Sequence, residues 1–343
     1  MKKQFFFLMI ALMAMNANAK VWRLNNSGGH ADFTTWTAAY NGASANDTIY
    51  VESSPTSYGD ANLSKPLVLI GTGYFLQENL PTQYKNIWNA SFNRIDFRTG
   101  SEGSKMFGLN CNDGVYIYCG NIVVSKNKII DVYLGGDNNY NNIKISQNFI
   151  GYIYSGGTNT ITNVIINNNF IYKVWPAWSD YRPSSIILQS NISGSIINNT
   201  ISGGFFYLAW WEQTFSPAMQ VNGFYIVNNI IRQGAIENNG VSNLSSNNIC
   251  NSTQLTAIDG NQVNVDMSTV FVGSGSTDGQ WKLKAGSPAI GAGIGGVDCG
   301  MFGGSEPYVL SGMPSIPAIY DIVMPTAVVG NANLHVNVKA KAH

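Results

Sequence analysis

Charge is scarce in this chain. Only 11% of its 343 residues are Asp, Glu, Lys or Arg, and the 19 basic residues equal the 19 acidic ones. No basic field exists to attract nucleic acid or an anionic membrane surface. Histidine occurs only at His30, His335 and His343, and no C-x-x-C spacing occurs among Cys111, Cys119, Cys250 and Cys299. This excludes the usual zinc motifs. An even number of cysteines in an exported chain is compatible with disulfides, in any of three pairings, and equally with buried thiols. No apolar run of eighteen residues follows the N-terminus, so no segment reads as a membrane span. No cofactor motif is present, and none is assigned.

Residues 1–19 read as a signal peptide. Lys2 and Lys3 precede an apolar run from Phe5 to Met15, and Ala17-Asn18-Ala19 fits a small-x-small cleavage site. The expectation is a secreted or cell-surface protein, taken as a monomer. Gly, Asn and Ser are abundant while β-branched residues fill the apolar runs, a composition of repetitive β structure rather than disorder.

The stretch VIINNNFIYKVW (164–175) sets three asparagines between two apolar runs, and variants of it recur. The pattern Ile-x-x-Asn-x-Ile, with Val or Leu sometimes in first place, anchors on Asn127, Asn148, Asn169, Asn199, Asn229 and Asn247, at spacings of 21, 21, 30, 30 and 18. Self-similarity at this period implies stacked units. Short β-branched segments between turn residues imply strands. Units of this size bury nothing alone, so they coil into a column of parallel strands about 4.8 Å apart. The fold class expected is therefore all-β, a parallel β-helix. Asn tolerates the left-handed backbone of a sharp corner, and its amide can bond to the same residue in the next coil. Asn198 and Asn228 neighbour the anchors and share this chemistry.

Residues 32–40 (DFTTWTAAY) place Phe33, Trp36 and Tyr40 on one face of a short helix, N-capped by Asp32, that plugs the first coil. DTIYV (47–51) starts the first strand with Ile49 and Val51 inward. SPAIGAG (287–293) and GGSEPYVLSGMPSIP (303–317) read as the last coil and a Pro-rich exit, and IYDIVM and LHVNV as a terminal hairpin. The expected division is signal peptide 1–19, β-helix with its cap 20–312, and exit with hairpin tail 313–343.

This order of segments resembles a family. DTIYV, KPLVLIGTGYFL (65–76), the Asn-anchored coils, WKLKAGSPAIGAG (281–293), DCGMFGG (298–304) and the tail PSIPAIYDIVMP…LHVNVKAKA are similar to exported right-handed parallel β-helix proteins of Bacteroidetes type, in the pectate-lyase-like superfamily. The resemblance, with the right-handed crossover rule, implies handedness. That superfamily includes polysaccharide lyases and hydrolases. Their NTD…DD, GHG and RIK signatures are absent here, as is any cluster of acids for calcium.

Two consecutive units carry about nine extra residues each. They read VWPAWSDYRPSS (174–185) and FFYLAWWEQTFSP (205–217). Aromatic loops on a rigid scaffold are common binding elements. Polysaccharide is the expected partner, contacted by Trp175, Trp178, Tyr181, Tyr207, Trp210 and Trp211, whose rings stack on sugar C–H faces. Packing of these rings on one another is the competing account. An enzymatic alternative, a polysaccharide lyase or glycoside hydrolase, draws on Asp180, Arg182 and Glu212 as the acid, base or charge-neutralising groups. A cell-surface structural protein without ligand is the third. Another aromatic series, Tyr133, Tyr154, Trp175 and Phe205, lies six residues after four anchors and predicts a stacked ladder. The loop 137–142 (DNNYNN) reads as a solvated turn.

Overall fold

The computed structural model describes residues 19–79, 88–172, 184–209, 212–237, 243–325, 330 and 333–341, and of residues 205–209, 212–215, 318–322 and 341 the backbone only. Among these, two large all-parallel sheets run the length of a β-helix, one of ten strands and one of twelve. Successive coils contribute one strand to each sheet. Inward-facing residues stack in register: Val124, Ile145, Ile166, Ile196 and Ile226 in the first sheet, and Cys111, Ile129, Ile150, Ile171, Ile201, Ile231 and Cys250 in the second. All are 0–2% exposed. Each such Ile contributes about 1.5–3 kcal/mol by burial. A slip of one residue would turn the whole row outward, so burial fixes the register.

The column begins earlier than the sequence indicated. Val21–Leu24 pairs in parallel with Thr48–Val51, so DTIYV is the second strand, although Ile49 and Val51 do point inward. The capping helix spans Trp36–Gly42 and starts later than expected. Its N-cap is Thr35, whose hydroxyl accepts from Ala38 N at 3.3 Å. Asp32 instead accepts from the Arg23 backbone N, and Phe33 joins Leu24 in a bridge. Trp36 meets Phe92 of the core edge-on, ring centroids 5.3 Å apart.

One corner of the column answers why asparagines come in pairs. Residues Gly108, Lys126, Gln147, Asn168, Asn198, Asn228, Asn247 and Gly260 occupy it in successive coils, all at φ between 53° and 78°. The next residue in six of these coils (Asn127, Asn148, Asn169, Asn199, Asn229, Asn248) is fully buried and forms the ladder, which ends on Asn261. Each Oδ1 from Asn148 to Asn261 accepts two bonds from the asparagine one coil earlier, from its backbone N at 2.8–3.0 Å and its Nδ2 at 2.9–3.1 Å. The second Nδ2 hydrogen reaches a strand carbonyl, as from Asn169 to Ile145 O at 2.8 Å. The left-handed bend and the ladder therefore belong to adjacent residues, not to one. The last anchor is accordingly Asn248 rather than Asn247, with Tyr225 opposite Leu244 and Ile226 opposite Ser245.

The C-terminal segment corrects the expected exit. Residues 287–317 add no further coil. They run back along the column as a strap, and the outward side chains of the bent corner hold it in reverse order. Asn247 Nδ2 donates to Ala292 O, and Asn228 Oδ1 accepts from Ile294 N, both at 3.0 Å. Asn198 Nδ2 donates to Asp298 O at 2.9 Å, Asn168 Nδ2 to Met301 O and Gly303 O at 3.0 and 2.7 Å. Gln147 then donates to Pro307 O and Lys126 Nζ to Ser315 Oγ, each at 2.6 Å. The strap covers an outward Phe149–Phe170 stack with Trp281, Met301 and Tyr308. Fully buried Asp278 anchors it by accepting bonds from Asn79 Nδ2, Ser276 Oγ, Tyr308 OH and Ser311 N. After it, Ala318–Val323 and Asn337–Lys341 pair as an antiparallel hairpin.

All four cysteines are free and buried. No described helix is long and apolar enough to cross a membrane.

Two outcomes follow. Replacing Asn199 by Ala leaves Asn169 N and one Nδ2 hydrogen without an acceptor in the core, so unfolding free energy should fall by on the order of 3–5 kcal/mol. Asn198→Gly keeps the bend and loses one strap bond, so it should cost only about 1 kcal/mol. Denaturant unfolding of both variants tests the contrast. Burial pushes the thiols up, with Cys250 and Cys299 at about 12. A thiol reagent should therefore titrate none of the four in the native protein and all four in denaturant.

Candidate functional site

The larger sheet presents its outward row as Asp96, Tyr116, Tyr133, Tyr154, Ile187, Gln220 and Glu237, one residue per coil. Parallel pairing at about 4.8 Å brings like residues together. The rings of Tyr116 and Tyr133 lie 5.5 Å apart and those of Tyr133 and Tyr154 5.0 Å apart, both tilted. Tyr152 stacks on Tyr154 at 4.8 Å, and Tyr118 meets Tyr133 edge-on at 6.0 Å. The phenol of Tyr133 lies across the double-glycine turns. A Cβ on Gly135 or Gly156 would come within 2.4 or 2.7 Å of it. Each ring contact contributes about 0.5–1.5 kcal/mol beyond burial, so the row is both rigid and partly exposed.

Charge enters at one end. Asp96 is buried and takes Arg94 Nε at 2.6 Å and Arg98 at 2.5 Å. The Arg94 guanidinium lies 3.7 Å from the Tyr116 ring centroid, over the notch left by Gly114. Hydrogen bonding to Asp96 pushes the Arg94 guanidinium further up. The two arginines share this one carboxylate and frame the tyrosines with one net positive charge.

The two sequence excursions arise at the other end. The first leaves the sheet after Tyr172 and returns at Ile186, and the second leaves after Ser202 and returns at Met219. Ile171 pairs with Ile201 and Ile186 with Met219, so their roots are neighbours on one flank, as the equal unit lengths predicted. The second excursion contains an antiparallel hairpin, Phe205–Ala209 with Glu212–Phe215, which puts Tyr207 opposite Gln213 and Glu212 opposite Ala209. Trp175, Trp178, Asp180, Tyr181, Arg182, Trp210 and Trp211 lie outside the described residues.

The predicted aromatic series holds at Tyr133 and Tyr154, while Trp175 and the Phe205 side chain lie outside what is described. The residue in register after Tyr154 is Ile187, because the first excursion interrupts the strand there. Phe205 belongs to the hairpin. Tyr116 and the Arg94–Asp96–Arg98 cluster escaped the repeat analysis because a register shift between Cys111 and Val115 breaks the period that would have pointed to them. Residues 137–139 are an exposed bend, as expected, and the strand Tyr140–Ser146 begins directly after it. Asn163 donates to Asn142 at 2.7 Å and Asn142 to Asn121 at 2.9 Å, an exposed second ladder. Among the described residues, no group of three or more His, Cys, Asp or Glu is placed to hold a metal ion.

Comparison with protein-family models, with curated proteins and with solved structures gives no match. Functional inference therefore starts from this surface.

Burial, and then the Tyr116 hydroxyl, push the Tyr154 phenol up. Burial likewise raises Tyr58, to about 12, and Tyr74, Tyr140 and Tyr308. A folded chain that keeps these protons above the ordinary phenol value of about 10 binds more protons than the unfolded one. Stability should thus be intact below pH 10 and fall as pH rises beyond it. Absorbance titration of phenolate should show these tyrosines ionising only together with unfolding.

Proposed function

We propose that the protein is an exported β-helix, akin to the right-handed secreted proteins of Bacteroidetes type in the pectate-lyase-like superfamily, that binds polysaccharide along its aromatic flank. The observation that carries this reading is the in-register column Tyr116–Tyr133–Tyr154, which runs toward the adjacent roots of two aromatic-rich excursions. Rings repeating at the coil spacing suit a ligand that is itself a linear repeat. Phenols join an apolar face to a polar edge, which matches the alternation of C–H faces and hydroxyls on a sugar. A site on paired strands loses little freedom on binding. The tryptophans Trp175, Trp178, Trp210 and Trp211 extend the same chemistry in this reading.

Cleavage by Asp180, Arg182 and Glu212 draws no comparable support, since only the backbone of Glu212 is described. Calorimetry or affinity electrophoresis against a panel of plant and host glycans tests the proposal. One glycan should bind without release of reducing or unsaturated ends. Trp210→Ala with Trp211→Ala, or Tyr133→Ala with Tyr154→Ala, should weaken it by about tenfold or more. Product release from any glycan would establish the enzyme instead, and an absence of binding across the panel would leave a structural role.

A further inference from the structure

Arg232 stands at the root of the second excursion, and its surroundings are unlike those of the other described arginines. Ile201 pairs with Ile231 and Ser202 with Gln233, so Arg232 is the extra residue of a β-bulge and is turned out of the ladder. Bulges of this kind re-aim single side chains next to functional sites. Gly234 follows at φ 85°, and a Cβ there would come within 2.4 Å of Ser216 O, so the neck of the excursion packs tightly against this strand.

The guanidinium carbon lies over the Trp281 ring, 4.1 Å from its centroid, and 5.9 Å from that of Phe271. Its Nε is sealed from solvent and has no hydrogen-bond partner. Arg23, Arg94 and Arg98 each hold a carboxylate, but among the described residues Arg232 holds none. Burial pushes it down to about 10, with Tyr172 as the only nearby group acting the other way. Its two Nη groups are not sealed as Nε is, and they offer a pair of donors suited to two oxygens of one anion.

We propose that Arg232 is an oxyanion-binding residue, which receives the carboxylate or sulfate group of an acidic saccharide at the base of the aromatic flank. Trp281 orients the guanidinium, and the bulge aims it. The saccharide part of this inference rests on the polysaccharide reading, while the oxyanion part stands on Arg232 alone.

The test is thermal unfolding of the full chain at fixed ionic strength with sodium sulfate, D-galacturonate or neutral D-galactose, for the native protein and for Arg232→Met and Arg232→Gln. An anion that binds only the folded state should raise Tm by a few degrees when well above its Kd. Sulfate or galacturonate should do so and galactose should not, and whichever acts tells a sulfate ester from a uronate. Arg232→Met removes a half-buried cation that has no carboxylate partner among the described residues. It should be about as stable as the native protein without anion and show no anion response, and Arg232→Gln should show none either. An equal response in the native protein and both variants, or no response in any of them, overturns the proposal. Failure of the two readings is separable. An Arg232-dependent anion shift with no polysaccharide bound leaves the oxyanion site and removes the flank. Polysaccharide binding that Arg232→Met leaves unchanged does the reverse.

Discussion

Inside the column, each ladder Oδ1 from Asn148 onward accepts both the backbone N–H and the side-chain N–H of the asparagine one coil earlier. This pair of hydrogen bonds fixes where each coil bends relative to the one before it. The left-handed residue still donates to a carbonyl of the next coil, as Asn198 N does to Val227 O at 3.0 Å, but the N–H of the residue after it points inward and needs another partner in a buried place. The amide supplies it within the apolar core, where an unmade bond would cost about 1–3 kcal/mol. The bend and the burial of the Ile columns in both sheets specify the same register, so hydrogen bonds and apolar packing act together.

The adjacent residue turns the same corner outward. Asn168 shows the division of labour in NNN: Asn169 continues the ladder, Asn168 takes φ 56° and holds Met301 and Gly303, and Asn167 reaches Glu306. The strap that these side chains grip covers the phenylalanine stack and buries Asp278 among four donors. A solenoid contacts only its nearest neighbours, and its stability is roughly a sum of neighbour terms. A strap that crosses coils from Asn247 to Lys126 couples units that otherwise never touch.

The repeat was legible because it reports parallel pairing. Five anchors from Asn127 to Asn229, and the inward Ile after each, lie where the spacing put them. The sixth slipped by one residue. In NNI, either asparagine fits a corner, and only the partner one coil away decides which is buried. The strap was not legible, since its contacts are to an outer row without period of its own. Gly-rich segments such as 291–304 satisfy left-handed backbone equally well in a last coil and in a return run. The candidate site was half legible. Excess length revealed the excursions and their common flank. The tyrosine column was visible only from Tyr133 onward, because a bulge shifted Tyr116, and the bulge that exposes Arg232 leaves no mark in composition.

The place of the excursions follows from the same physics. Inserting residues within a strand would ordinarily break a sheet. Here each interrupted strand keeps its pairing on both sides of the insertion, Ile171 to Ile201 before and Ile186 to Met219 after, so the column loses little. The asparagine corner is untouched by it, since the ladder bonds Asn169–Asn199 and Asn199–Asn229 match those between the short coils at 3.0 Å. Two neighbouring coils extended at one point give paired protrusions. An isolated insertion would give a single loop with nothing beside it. The tyrosine row thus stands beside the paired roots, and the added length is accommodated without disturbing the asparagines that determine the fold.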